Sequence, residues 1–263
     1  MKQEWNIFLA SLSFYTRIPV KNAEGQNVEL AQSIRYFPLV GWVAGTLSAL
    51  IFIGFNQVFG QALAIIFSML STIFLTGALH EDGLADVCDG FGGGWTKEKI
   101  LEIMKDSCIG TYGVIGLVFI TSLKFFAIQQ IVSVLHISTE WPLLVCFVVT
   151  ANTLSRFNAC TMIFTHTYVR AEKSKSALVV HNSKISNLYI ALILTLIPFF
   201  TLLFYTQQYK WVIVIVPLAV VSLFLSRYFN KWIGGYTGDC LGAIQQISEV
   251  VIYLSMICLW KFF

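Results

Sequence analysis

NLYIALILTLIPFFTLLFYT, residues Asn187–Thr206, runs for twenty positions without one charged side chain. A helix rising about 1.5 Å per residue carries such a run across about 30 Å, the thickness of a bilayer's hydrocarbon core. Six further apolar runs lie near 38–55, 60–79, 111–135, 141–164, 210–226 and 247–260, so seven spans are expected. The stretch WNIFLASLSFYT at 5–16 is too short to cross and stops at Arg17, which predicts an interfacial N-terminal helix. The expected fold is therefore all-α: a polytopic integral membrane helix bundle forming a single membrane-embedded domain over residues 1–263.

Composition agrees. The 263 residues are 57% hydrophobic and only 12% charged, against roughly 25% charged in soluble domains. That shortfall excludes a soluble Rossmann or barrel enzyme, a disordered chain and a nucleic-acid binder. The net charge of +3 is too small to imply a polyanionic partner. Six scattered cysteines with no CxxC argue against a disulfide framework or zinc site. The N-terminus has no small-residue cleavage site, so no signal peptide is expected.

Lys and Arg set the orientation. With the N-terminus inside, segments 1–37, 80–110, 165–186 and 227–246 are cytoplasmic and hold thirteen of the 17 basic residues; Lys210 and Lys261 lie outside, Lys124 and Arg156 within spans. The outside loops are short, so chemistry is expected on the cytoplasmic face of a bacterial inner membrane.

Half of the 14 acidic residues (Glu81, Asp82, Asp86, Asp89, Glu98, Glu102 and Asp106) crowd into 26 positions after the second span. No Lys or Arg separates Arg35 from Lys97, so the repulsion calls for a cation from elsewhere. On a helix, Asp82, Asp86 and Asp89 stand at i, i+4 and i+7, within about 60° of one another. Three carboxylates on one face suit a hard divalent cation; Mg²⁺ takes oxygen ligands and keeps substrate phosphate oxygens beside them. Gly90–Gly94, Gly93 included, are read as a flexible turn whose N–H groups approach a phosphate. Lys97–Asp106 reads as an amphipathic surface helix. The Gly-punctuated stretch after it suggests that Lys105, Asp106 and Thr111 point into a site.

A second polar stripe, Asp239, Gly242, Gln246 and Glu249, leads into the last span. Glu249 at or below the membrane surface is either a functional carboxylate or one bonded to a neighbouring helix. Arg156 either snorkels to the inner surface or reaches the acidic site or a substrate phosphate. His80 is either a proton acceptor or an ordinary hydrogen-bonding histidine. Lys124 has no evident partner in the sequence.

Several of these pieces together resemble the cobalamin synthase family: Thr16-Arg17-Ile18-Pro19-Val20, Tyr36-Phe37-Pro38 with Gly41, His80 through Asp86 and on to Asp89-Gly90, Glu102 through Ser107 and Gly110 through Gly113, and Thr237-Gly238-Asp239 with Gly242-Ala243 and Glu249. They follow one another along nearly the whole chain. The resemblance implies joining of adenosylcobinamide-GDP to α-ribazole, or its 5′-phosphate, to give adenosylcobalamin or its phosphate with release of GMP. It also implies Mg²⁺, membrane lipid as surroundings, room for contacts with other corrinoid-assembly enzymes, and no nucleic acid. On this reading Asp82, Asp86 and Asp89, with Asp106 completing the set, hold one or two Mg²⁺. Lys105, Arg156 and Arg17, in that order, offset the leaving group's charge. An Asp or His80 takes the hydroxyl proton, and Asp239 and Glu249 line the opposite wall to bind a second metal or the ribazole.

Asp86-x-x-Asp89-Gly90 is also similar to the start of the CDP-alcohol phosphotransferase motif, but Gly93-Gly94 replace the Ala-Arg that should follow. A membrane enzyme using another nucleotide-activated donor is thus the alternative reading. A transporter would show repeats with helices broken at the midplane, and none are found. A pure scaffold would not need the Asp spacing.

Overall fold

The computed structural model describes residues 2–20, 32–170 and 184–262. In chain order its helices are α1 (Lys2–Tyr15), α2 (Phe37–Phe59, entered through a 3-10 turn at Ser33–Tyr36), α3 (Gln61–Thr76), α4 (Leu79–Gly93), α5 (Lys97–Ile103), α6 (Thr111–Val134), α7 (Ile137–Thr165), α8 (Ile185–Thr206), α9 (Ile215–Ile233, entered through a 3-10 turn at Tyr209–Val214) and α10 (Gly238–Phe262). Six stretches are long and apolar enough to cross a membrane: Ser33–Phe59, Thr111–Val134, Ile137–Thr165, Ile185–Thr206, Tyr209–Ile233 and Gly238–Phe262. The seventh is α3, which passes that test only together with α4, bent from it by 88°. Four carboxylates in α4 keep that limb outside the hydrocarbon, leaving α3 as the crossing part of the pair.

The bend has a local cause. Gly77 (φ +64°) and Ala78 (φ +60°) are consecutive left-handed residues, a conformation that costs a non-glycine residue about 1–2 kcal/mol. The Gly77 N–H closes α3 on the Phe74 carbonyl and the Ala78 N–H on that of Ile73, and the Asp82 N–H then opens α4 on the Ala78 carbonyl. Arg17 packs its side chain where a Gly77 Cβ would stand, so α1's exit and this elbow are fitted together.

Packing grades the spans. In α7, 83% of the apolar window is buried, against 22% in α6 and in the stretch ending α9. Thus α7 is the central post, α10 at 67% lies beside it, and the less buried spans face lipid. Gly41 and Gly45 let α2 lie against the α7 backbone at Asn152 and Val149, the small-xxx-small packing that replaces hydrophobic collapse in lipid. Large apolar side chains left outside, such as Phe74, Phe126, Phe204 and Phe224, would be untenable in water and are ordinary in lipid. The 14-residue α1 is too short to cross; it buries Ile7, Ala10, Leu12 and Tyr15 and pairs Glu4 with Arg35 at 2.9 Å.

Two expectations need correction. The last span begins at Gly238 rather than 247, because its polar first turns are themselves helical and buried. Residues Gly90–Gly93 are the final turn of α4, not a flexible turn. There Gly90 and Gly94 admit α5 at Ile100, while Gly92 admits the Tyr112 ring.

Candidate active site

At one end of the bundle α4 crosses beneath α10. Gly83 lies against the Asp239 backbone and Gly242 against that of His80, with room at neither for a β-carbon without displacement. That contact brings the first turns of both helices together. One isolated parallel bridge supplies a third strand of chain: the Tyr236 N–H donates to the Thr167 carbonyl and the Val169 N–H to the Tyr236 carbonyl, both at 3.0 Å. It sets Arg170 beside Asp239.

The resulting cluster differs in membership from the trio expected. Asp82 is exposed and Asp86 half-buried on adjacent turns of α4. Asp239 faces both across the helix crossing and is ion-paired to Arg170 at 2.6 Å. The same Arg170 nitrogen donates to the Met104 carbonyl at 2.9 Å, while its Nε is buried without a partner. Burial, the Asp239 and Asp82 charges, and more weakly Asp89, push the Asp86 carboxyl up to about 7 against the pull of Arg170.

Asp89 turns elsewhere. Its two oxygens accept the Gly110 N–H at 2.7 Å and the Gly113 N–H at 2.8 Å. It is the cap of α6, whose own N-cap residue is a side-chain-less glycine. Asp106 is exposed and accepts the Cys108 N–H at 3.0 Å within its own turn. Among the described residues no three His, Cys, Asp or Glu side chains are grouped closely enough to hold a metal by themselves. The expected set of Asp82, Asp86, Asp89 and Asp106 therefore does not assemble.

Glu249 does not line the cleft. It is 2% exposed, ion-paired with Lys124 at 2.7 Å and hydrogen-bonded by Asn152 and Gln245. This supplies the partner that Lys124 lacked. Arg156 neither snorkels nor reaches the cluster; it is equally buried, donates to the Asn152 carbonyl and Oδ1, and lies 5.8 Å from the centre of the Phe37 ring. Glu81 accepts Gln246 Nε2 at 2.9 Å. These charges hold α4, α6, α7 and α10 together inside the bundle.

Lys105 is exposed one residue beyond the carbonyl held by Arg170, beside the cluster, and Arg17 is exposed on the Gly77 elbow at the start of α4. Gly93 is exposed at the end of α4 against Ile103. His80 is buried and its Nε2 has no hydrogen-bond partner. Burial, with the Arg156 and Lys124 charges behind it, lowers its pKa well below the usual imidazole value, which keeps it neutral. Arg170 is the functional candidate that the sequence did not single out. It stood among other basic residues of a loop, and only the bridge to Tyr236 reveals what it meets.

A cavity of about 130 Å³ opens beside the cluster, with Asp82 and Asp239 in its lining. A larger one of about 360 Å³, lined by Phe147, Trp260 and Lys261, lies roughly 25–33 Å farther along α10 and touches none of these carboxylates. It is an apolar groove at the other membrane face.

A family model described as cobalamin-5-phosphate synthase matches residues 7–257. Curated proteins named adenosylcobinamide-GDP ribazoletransferase are similar over nearly their full length. That of Shewanella amazonensis is 39% identical across 99% of this chain and 98% of its own, that of Shewanella piezotolerans 41% across 97% and 96%, and that of Leptospira interrogans 38% across 99% and 98%. No solved structure matches.

Proposed function

The chain belongs to the cobalamin-5-phosphate synthase family, and from that membership we propose how its residues carry out the family's reaction. It is a multi-pass membrane enzyme of cobalamin biosynthesis, an adenosylcobinamide-GDP ribazoletransferase. A ribose ring hydroxyl of α-ribazole, or of its 5′-phosphate, forms a bond to the phosphorus nearer the cobinamide; the 5′-oxygen is not the nucleophile, since it carries phosphate in the phosphorylated acceptor and keeps it in the product. The bond from that phosphorus to the bridging oxygen breaks, GMP leaves with the electron pair, and the hydroxyl proton passes to a carboxylate of the cluster. With the donor GDP-activated, a CDP-alcohol substrate has no place.

The observation that carries the residue roles is the meeting of Asp82, Asp86 and Asp239 around Arg170, the one cation ion-paired to them among the described residues. One guanidinium leaves these three carboxylates net negative, and that excess adds to burial, the larger cause, in raising the Asp86 pKa. The donor set is all oxygen and two carboxylates share one side of α4, which fits a magnesium ion completed by diphosphate oxygens better than an all-protein cage. Asp82 and Asp86 would hold it, with Asp239 opposite; bound there, Mg²⁺ would neutralise charge on the diphosphate. Arg170 orients the phosphates through its unused donors. Lys105 and Arg17 extend the positive rim toward GMP.

The site faces the cytoplasm, where the basic residues gather, and the whole chain acts as one catalytic unit. The test is GMP release and cobalamin formation by purified protein in lipid nanodiscs supplied with both substrates and Mg²⁺. Asp82→Asn, Asp86→Asn and Arg170→Met should each fall by orders of magnitude. Wild-type rates from all three would overturn the assignment.

A further inference from the structure

The cavity beside the carboxylates has its own chemistry. Its wall is built by Tyr15 and Phe37, with Ala159 and Ile163 of α7 behind them, and His80 completes it. The Tyr15 and Phe37 rings stack with centroids 4.1 Å apart and 27° between planes; His80 meets the Phe37 ring edge-on at 5.7 Å. Within this apolar wall one polar atom is left over: His80 Nε2, on a side chain 5% exposed. A buried polar atom with no partner costs about 1–3 kcal/mol, a cost that a ligand supplying the missing hydrogen bond removes. Asp82 and Asp239 line the same space, so whatever fills it ends beside the reacting groups.

Resting on the function above, we propose that this cavity is the subsite for the base of α-ribazole. The flat benzimidazole packs beside the stacked Tyr15–Phe37 pair, its unsubstituted ring nitrogen accepts a hydrogen bond from His80 Nε2, and its ribose points the attacking ring hydroxyl toward Asp82 and Asp86. A volume of about 130 Å³ suits one bicyclic base and is far too small for a corrin ring. Guanine, the other base in the reaction, fits badly on chemical grounds. With Asp82 and Asp239 at the mouth given to the diphosphate, its two polar edges would be buried against aromatic and aliphatic carbon with one histidine nitrogen to satisfy them. An apolar ring system with a single acceptor matches what the wall offers.

The test compares the Michaelis constants of the full-length enzyme in nanodiscs for its two substrates. Ala159→Leu, which fills the cavity from α7, should raise the KM for α-ribazole at least tenfold and leave that for adenosylcobinamide-GDP within twofold. A second measurement replaces benzimidazole with indole in the nucleoside, which keeps the shape and removes the acceptor nitrogen. Wild type should prefer the benzimidazole nucleoside at least tenfold, and His80→Phe should erase that preference. Should Ala159→Leu fail to fold, the preference of wild type and direct binding of free 5,6-dimethylbenzimidazole to wild-type protein by calorimetry still decide. Equal rises in both constants, no preference over indole, or no binding of the free base would each overturn this subsite while product still forms. Absence of cobalamin from wild type with both substrates present would instead overturn the function on which it rests.

Discussion

Arg170 lies 2.6 Å from Asp239 while donating to the Met104 carbonyl, so one guanidinium ties together the exit of α5, the segment after α7 and the first turn of α10. Both contacts use one nitrogen, which a lysine ammonium can imitate, but lysine lacks the guanidinium's further donors that are assigned to the phosphates. Arg170→Lys should therefore lower kcat/KM for adenosylcobinamide-GDP roughly 10- to 100-fold, the worth of a charge-assisted hydrogen bond of about 1.5–3 kcal/mol. Steady-state GMP release at varied donor concentration measures it.

Asp82→Asn keeps the shape of α4 and removes one negative charge from its exposed edge. Turnover should drop by roughly 10²–10³-fold or more, as when one preorganised electrostatic group is lost, with the thermal midpoint unchanged within a degree or two.

Asp89 gives the opposite pattern. With both oxygens occupied by the Gly110 and Gly113 N–H groups, Asp89→Ala should cost about 1–2 kcal/mol of stability, the range for a lost N-cap. The Mg²⁺ concentration giving half-maximal rate should stay put. A large shift there, with stability unaltered, would return Asp89 to the metal.

Asp86 sets a pH dependence. Its folded-state pKa of about 7 lies above the unfolded 3.8, so between these values the folded protein holds a proton that the unfolded chain has released. This contribution to stability is full below pH 3.8, falls as pH rises through the interval, and is gone above 7. A cation competes for that same proton, so Mg²⁺ should bind more weakly below pH 7, by about tenfold per unit. Asp86→Asn should flatten that dependence in a Mg²⁺ titration followed by thermal shift.

Lys124 and Glu249 form a pair with side chains 9% and 2% exposed. Lys124→Met alone strands a buried carboxylate and should destabilise by about 3–5 kcal/mol, whereas Lys124→Met with Glu249→Leu should recover most of the loss. Reversible unfolding in detergent or lipid distinguishes the two.

Much of this was legible beforehand because it depends on near-neighbour arithmetic. The length of apolar runs such as 187–206 fixes the spans, and the i, i+4 spacing of Asp82 and Asp86 puts them on one helix face wherever that helix goes. The same arithmetic misassigned Asp89. Its 60° arc was correct, but nothing local says that the N-terminus of α6 lies against it, and unsatisfied N–H groups at a helix start claim the nearest carboxylate. Glu249 and Lys124 were each conspicuous and were not matched, since their pairing depends on α6 and α10 being neighbours. Arg170 was invisible for a related reason. Its meeting with Asp239 is made by the Tyr168–Tyr236 bridge, and a two-residue pairing carries no periodic signal. Gly90 to Gly94 misled because glycines that admit a neighbouring helix resemble glycines that turn a chain.

The buried Lys124–Glu249 pair also bears on biogenesis. Lys124, in α6, emerges from the ribosome long before Glu249, in α10. Until that helix arrives, a lone ammonium sits at a depth where lipid charges heavily for it, so the half-made protein cannot settle. A chain halted before α10 therefore carries a buried lysine whose charge nothing among its finished helices pairs.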